Sequence, residues 1–276
     1  MTGLFYMDKT IINGQVATSL SINDRGLNYG DGFFTTAKVS QREVELWPLH
    51  IARLQQCATR LGFPELDIAA LEGDVDALIA MAPSDDYVLK IVYTRGSGGR
   101  GYAPPTDAHI QRIVRLMPYP TQYQTLAETG LSLSIAQTRL AQQPLLAGLK
   151  TLNRLEQVLV KQEAAKAPSD DMLVLDTTDN VIETSSANLL LYQQGQWFTP
   201  KLDQAGVKGV YLTHLSQHLA VREQRVNLAT LFSVDALYCC NSLMGVIPIK
   251  RLAHHDYNVD ISKSVLTKAL NNKGLG

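Results

Sequence analysis

Apolar and polar residues alternate in short runs through the first part of the chain, and the alternation predicts strands joined by tight turns. In "YMDKTIINGQVAT", Asn13-Gly14 stands between two β-prone arms, and this dipeptide suits the left-handed torsions of a two-residue hairpin. "FFTTAKV" and "EVEL", separated by "SQR", predict a second hairpin. The period then changes. In "WPLHIARLQQCATRLGF", Leu49, Ala52, Leu54 and Leu61 recur at helical spacing, Pro48 suits a first helical position and Gly62 ends the run. A second helix is predicted over "DIAALEGDVDALIAM", and strands near 86–95 and 110–118 complete an α/β unit.

The proline-rich and polar segment "PYPTQYQTLAETG" predicts a linker over 119–130, between a domain at 1–118 and one at 131–276. Beyond it come a strand in "LSLSIAQT" and a helix from about 151 to 166, with Leu152, Leu155, Val158 and Leu159 as its buried stripe. Short β-prone runs follow ("MLVLDT", "NLLLY", "QWFTP"), then a helix at "GVYLTHLSQHLAV", strands near "ALYCCN" and "GVIPI", and a helical end at "SKSVLTKALNN". The order predicts an α+β or mixed α/β fold in two domains, a mixed sheet decorated by helices and not a regular βαβ alternation.

Composition narrows the function. The chain has 276 residues and a formal charge of -1, which gives no reason to expect nucleic acid or an anionic membrane as partner. "MTGLFYMDKTIING" lacks the basic patch, apolar run and cleavage site of a secretory leader, and no later window approaches a spanning helix, so a cytoplasmic protein is expected. Cys57, Cys239 and Cys240 are odd in number and lack metal-ligand spacing, which predicts buried thiols, with no metal site.

"TRGSGGRGYAPP" contains G-x-G-x-x-G at Gly96, Gly98 and Gly101, after a strand-like run. A dinucleotide site needs the third glycine to open a helix, and the prolines that follow forbid one. Walker A fails too, because Tyr102-Ala103 stands where Lys and Ser/Thr are required. What is left is a turn carrying Arg95, Arg100 and Tyr102. It is either a loop that binds carboxylates through guanidinium groups or a plain surface connection.

Three further groups attract attention. Lys150 is placed at a predicted helix start, where the positive dipole end favours a free amine, though a solvated charge is the ordinary alternative. Glu183 leaves a short strand toward the polar cluster "TSSAN". Gly209 opens a helix whose first amides, on Val210 and Tyr211, suit a phosphate. A strand-end charge and an ordinary loop-to-helix junction are the alternatives for these two.

Taken together, Gly30-Asp31-Gly32 with "FFTTAKV", "HIARL", "TRGSGGRGY", "GLKTLNRLEQ", "VIETSSANL", "AGVKGVY" and "CCNSLMGVIPI" resemble the fold-type IV pyridoxal-phosphate enzymes of the class IV aminotransferase family. The resemblance implies a smaller N-terminal α/β domain, a larger C-terminal domain with a pseudo-barrel-like mixed sheet, pyridoxal 5'-phosphate as cofactor and a homodimer. It makes Lys150 the Schiff-base lysine, Glu183 the partner of the pyridine nitrogen and Arg53 the phosphate-binding arginine. Val210, Tyr211 and Ser242 fall where the family binds phosphate. Ser242 stands at a position that is commonly threonine, and Asn241 at one that is often glycine. Arg100 and Tyr102 match a substrate-carboxylate loop, and Thr36 or Thr35 matches a threonine that separates the family's lyases from its aminotransferases. The implied reaction is carbon–oxygen cleavage of 4-amino-4-deoxychorismate to 4-aminobenzoate, a folate precursor, and pyruvate. The rivals are a D-amino-acid or branched-chain aminotransferase of the same fold type and a non-enzymatic binding module.

Overall fold

The structure is a computed structural model that describes residues 9–82 and 86–271. Residues 1–8, in which the first predicted arm begins, lie outside the described part. The chain divides into two compact units. One holds the described residues up to Tyr119 together with Lys150–Asn153; the other holds Pro120–Leu149 and the described residues from Arg154 onward.

The first unit contains β1 (Thr10–Ile12), β2 (Gln15–Val16), α1 (Arg25–Tyr29), β3 (Gly32–Ser40), β4 (Glu43–Val44), α2 (Trp47–Arg60), α3 (Ile68–Ala80), β5 (Tyr87–Thr94) and β6 (Gln111–Pro118). Its six strands pair in the order β2-β1-β6-β5-β3-β4, antiparallel throughout. The Asn13-Gly14 turn joins β1 to β2 with both residues at positive φ, as a type I′ hairpin requires. Strand alternation gives β3 two unlike faces. Phe33, Thr35, Ala37 and Val39 are buried on the helix-covered face, while Phe34, Thr36 and Lys38 are half-buried on the other. Leu54 and Cys57 of α2 and Leu71, Val75 and Leu78 of α3 complete this core.

In β3, the start of the strand keeps one edge unpaired by β4, and residues 150–152 occupy it. Phe34 N donates to Lys150 O at 2.9 Å, and Leu152 N donates to Gly32 O at 3.0 Å. No local pattern in the sequence signals this return of the chain, because the pairing joins residues more than a hundred positions apart.

The second unit contains α4 (Gln122–Thr129), β7 (Leu131–Ile135), α5 (Leu155–Ala164), β8 (Asp171–Leu175), β9 (Val181–Thr184), β10 (Asn188–Gln193), β11 (Gln196–Pro200), α6 (Val210–His218), β12 (Val221–Gln224), α7 (Leu228–Leu231), β13 (Ala236–Asn241), β14 (Gly245–Leu252), β15 (His255–Asp256) and α8 (Val259–Asn271). The strands form a mixed sheet, β12-β11-β10-β13-β14-β7-β8-β9, with β15 beside β14. Both faces are covered, which explains why "MLVLDT" and "NLLLY" are continuous apolar runs without alternation. Leu173, Leu189, Leu191, Leu237 and Cys239 enter one core, and Met172, Val174, Leu190, Tyr238 and Cys240 enter the other. All three cysteines are buried, and none is in a disulfide.

Two expectations are corrected here. The segment read as a linker contains α4, whose Tyr123, Leu126 and Ala127 pack on the core beneath it, so from Pro120 onward it belongs to the second unit. The apolar stripe of α5 is not buried: Leu155, Val158 and Leu159 are 72%, 49% and 44% exposed, and only Val160 of this helix is in the core. Amphipathic spacing identifies a helix with an apolar face but does not say what covers that face.

Candidate active site

Each unit carries its own set of chemical side chains. In the first, Lys150 is extended chain paired to β3, and α5 begins only at Leu155. Lys150 is therefore not at a helix N-terminus, and no helix dipole acts on its amine. Its Nζ lies 4.6 Å from the centroid of the Phe34 ring, and the residue is half-buried. Phe34 and Thr36 are two residues apart on one face of β3, whereas Thr35 points into the core. Opposite Thr36 stands Lys90 of β5, which is itself opposite Arg115 of β6. Burial, helped by the Arg115 charge, lowers the Lys90 pKa. In the sequence Lys90 carries no signal beyond a charge at the non-core phase of an apolar strand.

The buried face of β3 holds the neighbours of Arg53. Thr35 Oγ1 is 2.6 Å from Nδ1 of His50, one helical turn before Arg53 on α2. His50 is fully enclosed, and burial, reinforced by the Arg53 charge, brings its pKa down to about 3, so the imidazole is neutral. Burial also lowers Arg53 to about 10.

Arg95 is committed elsewhere. It is 7% exposed and pairs with Asp31 at 2.9 Å. It also donates to Leu61 O and Gly62 O, each at 2.9 Å, and its guanidinium lies 4.0 Å from the Phe63 ring centroid. These contacts cap the C-terminus of α2, where carbonyls lack intrahelical donors. Arg95 is thus a structural group, and the expectation of a substrate-binding role is withdrawn. Arg100 and Tyr102 are exposed on the glycine loop, which is made of turns and opens no helix.

In the second unit, β9 carries Glu183, buried at 6% exposure. Its Oε2 accepts from Val207 N at 2.9 Å. Asn188 of β10 braces the same segment: its Nδ2 donates to Val207 O, and its Oδ1 accepts from Gly209 N, both at 2.8 Å. A Cβ on Gly209 would sit 2.1 Å from Asn188 Oδ1, so only glycine permits this approach at the start of α6. The first turn of α6, with Val210 and Tyr211, presents N–H groups at a helix N-terminus. Ser242 lies in the β13–β14 turn, and a Cβ on Gly245 of that turn would be 3.5 Å from Tyr211 Oη. Asn241 is occupied within the turn, since its Oδ1 accepts from Leu243 N and Met244 N at 2.9 Å and its Nδ2 donates to Ser186 O. Its side chain is therefore a turn brace rather than a ligand-binding group.

Comparison with known proteins gives a consistent picture. The model of the class IV amino-transferase family matches residues 32–252. Over 265 residues the chain is 34% identical to aminodeoxychorismate lyase of Vibrio harveyi, covering 94% of this chain and 97% of that protein. D-alanine aminotransferase of Bacillus licheniformis is 24% identical over 257 residues, 87% of each chain. Among solved structures, 4-amino-4-deoxychorismate lyase from Pseudomonas aeruginosa superposes with a TM-score of 0.87 at 38% identity, covering 95% of this chain and 98% of that one.

Proposed function

Because the chain belongs to the class IV amino-transferase family, we propose that it is a pyridoxal-phosphate-dependent lyase that converts 4-amino-4-deoxychorismate to 4-aminobenzoate and pyruvate. The observation that carries this reading is the phase of β3, which puts the Thr36 hydroxyl on the face of Phe34 and the Lys150 amine. The greater identity to the two lyases than to the D-alanine aminotransferase supports it.

The residues present fit the cofactor. Arg53 of the first unit is a buried cation of the type that pairs with a phosphate, and in the second unit the N-terminus of α6 and Ser242 supply uncharged donors of the type a phosphate accepts. Glu183 is a buried carboxylate whose Oε2 accepts from Val207 N, and an anion of this kind is suited to keep a pyridine nitrogen protonated. Lys150 supplies the amine that would hold the cofactor. When bound, pyridoxal 5'-phosphate supplies an electron sink for the carbanion formed at the substrate carbon bearing the amine.

The chain's own residues divide the remaining work. Lys150 takes the C4 proton as general base, and the C3–O bond breaks to release enolpyruvate, which becomes pyruvate. Loss of that proton and the ether makes the ring aromatic, which drives the step. Thr36 donates toward the departing oxygen. Arg100, with Tyr102, pairs with a substrate carboxylate in the planar geometry a guanidinium favours.

The same reading includes a homodimer in the cytoplasm. The uncovered Leu155, Val158 and Leu159 of α5 form the kind of apolar surface that a second copy covers. Among the described residues no helix is long and apolar enough to cross a membrane. The test is incubation with 4-amino-4-deoxychorismate in the absence of any amino acceptor, with pyruvate release as the expected result. Acceptor-dependent turnover of D-alanine or a branched-chain amino acid, with no pyruvate, would replace the lyase with an aminotransferase.

A further inference from the structure

Arg25 went unnoticed in the sequence, where it lies in "NDRGLNYG" with no chemistry to recommend it. In the structure it is 4% exposed, and nearly every donor it has is directed at the glycine loop. Its Nη2 donates to Tyr102 O at 2.9 Å. Its Nη1 meets Gly101 O at 3.1 Å, Ala103 O at 3.2 Å and Gly98 O at 3.3 Å. The remaining donor, Nε, pairs with Asp31 at 2.8 Å. Four carbonyls of one short loop thus converge on a single buried guanidinium.

We propose that Arg25 is the positioning residue of the 98–103 loop, a template that sets the affinity of Arg100 and Tyr102 for a substrate carboxylate. The proposal rests on the reading of those two side chains as carboxylate ligands. When the carbonyls of Gly98, Gly101, Tyr102 and Ala103 turn inward to one cation, the side chains between them are turned outward. Tyr102 is 86% exposed although its own carbonyl is bound, and its ring meets Tyr29 edge-on at 5.5 Å between centroids. Tyr29 in turn lies 4.9 Å from the Arg25 guanidinium carbon.

Gly98, Gly99 and Gly101 of the loop, and Gly96 before it, stand at positive φ, so without a template the loop would sample many shapes. Gly99 shows how tightly the loop is wrapped: a Cβ there would be 2.3 Å from Ala103 O and 3.2 Å from Arg25 Nη1. The template is itself anchored. Asp31 is shared with Arg95, which holds the end of α2, the helix that carries Arg53. A lysine cannot replace Arg25, because an ammonium offers three donors around a point and not five in a planar fork.

Arg25→Gln, Arg25→Lys and Arg100→Ala are compared with the wild type in three readouts: visible absorbance of the holoenzyme, KM and kcat for pyruvate release, and the rate of tryptic cleavage after Arg100. A positioning role predicts that Arg25→Gln raises KM about tenfold or more, because binding groups are no longer preset, and leaves kcat within about twofold. Absorbance stays as in the wild type, cleavage after Arg100 accelerates, and Arg25→Lys falls between. Unchanged KM overturns the proposal, whether or not cleavage accelerates. A wild type that releases no pyruvate sinks the lyase reading by itself, and an unaltered cleavage rate in Arg25→Gln then sinks the template as well. Should Arg25→Gln fail to fold, Gly99→Ala disturbs the same wrapping from the loop side, and an unchanged KM in that variant is equally fatal.

Discussion

Thr35 Oγ1 lies 2.6 Å from Nδ1 of His50, inside the core of the first unit, while the next residue along β3, Thr36, faces the side where the Lys150 amine sits over Phe34. Two threonines that are equivalent in sequence are therefore separated by strand phase, one tied to a buried histidine and the other on the opposite face of the strand. Replacing each with alanine separates the two roles. Thr36→Ala is expected to lower kcat for pyruvate release by about a hundredfold, the low end for a lost proton-transfer group, with the unfolding midpoint unchanged. Thr35→Ala leaves a buried nitrogen of His50 without its partner and costs about 1–3 kcal/mol in urea unfolding. The reverse pattern would exchange their roles.

Arg95 and Arg100 are five positions apart in one loop region and do different work. Arg95→Ala removes a buried cation that balances Asp31 and caps α2, so a stability loss of about 3–5 kcal/mol is expected in denaturant titration. Arg100→Ala is exposed and leaves the melting temperature unchanged, while KM rises and cofactor colour is retained. Loss of colour in Arg100→Ala would mean that the loop binds phosphate after all.

Lys150→Ala tests the covalent attachment directly. The wild-type holoenzyme absorbs visible light and traps the cofactor irreversibly with borohydride; the variant traps none and releases no pyruvate. A wild-type protein that cannot be reconstituted to a coloured form would favour the non-enzymatic binding module.

His50 makes a prediction about pH. Its pKa of about 3 in the folded protein lies below the unfolded value of 6.5, so the unfolded chain binds a proton that the native state refuses. The sign follows: this residue leaves stability intact above pH 6.5 and lowers it as pH falls from 6.5 toward 3. The loss approaches about 1.4 kcal/mol per pH unit within that window. Urea unfolding at pH 7 and pH 5 should show the slope in the wild type and a shallower one in His50→Gln. Equal slopes would show that His50 is not the group refusing the proton.

Glu183→Gln keeps an acceptor for Val207 N and removes the charge. The folded protein should still bind cofactor, while kcat falls about a hundredfold or more because the ring nitrogen loses the anion that keeps it protonated. Unimpaired turnover would assign that task to another group.

Local chemistry made much of this protein legible from its sequence. Asn13-Gly14 can hardly be anything but a tight hairpin, Pro48 and Gly62 bracket a helix, and the prolines after Gly101 exclude a dinucleotide loop, because each acts through the torsions of its own few residues. The motifs from "FFTTAKV" to "CCNSLMGVIPI" also carried the family, since they keep reactive residue types in a set order. Tertiary structure decided what depends on distant partners. It moved 150–153 into the first unit, assigned the linker to α4, uncovered the face of α5, gave Arg95 to the end of α2 and gave Arg25 to the loop that Arg95 and Arg100 had seemed to own. The reason is the same in each case: a residue's type states which bonds it can make, and only the folded chain determines which partners reach it first.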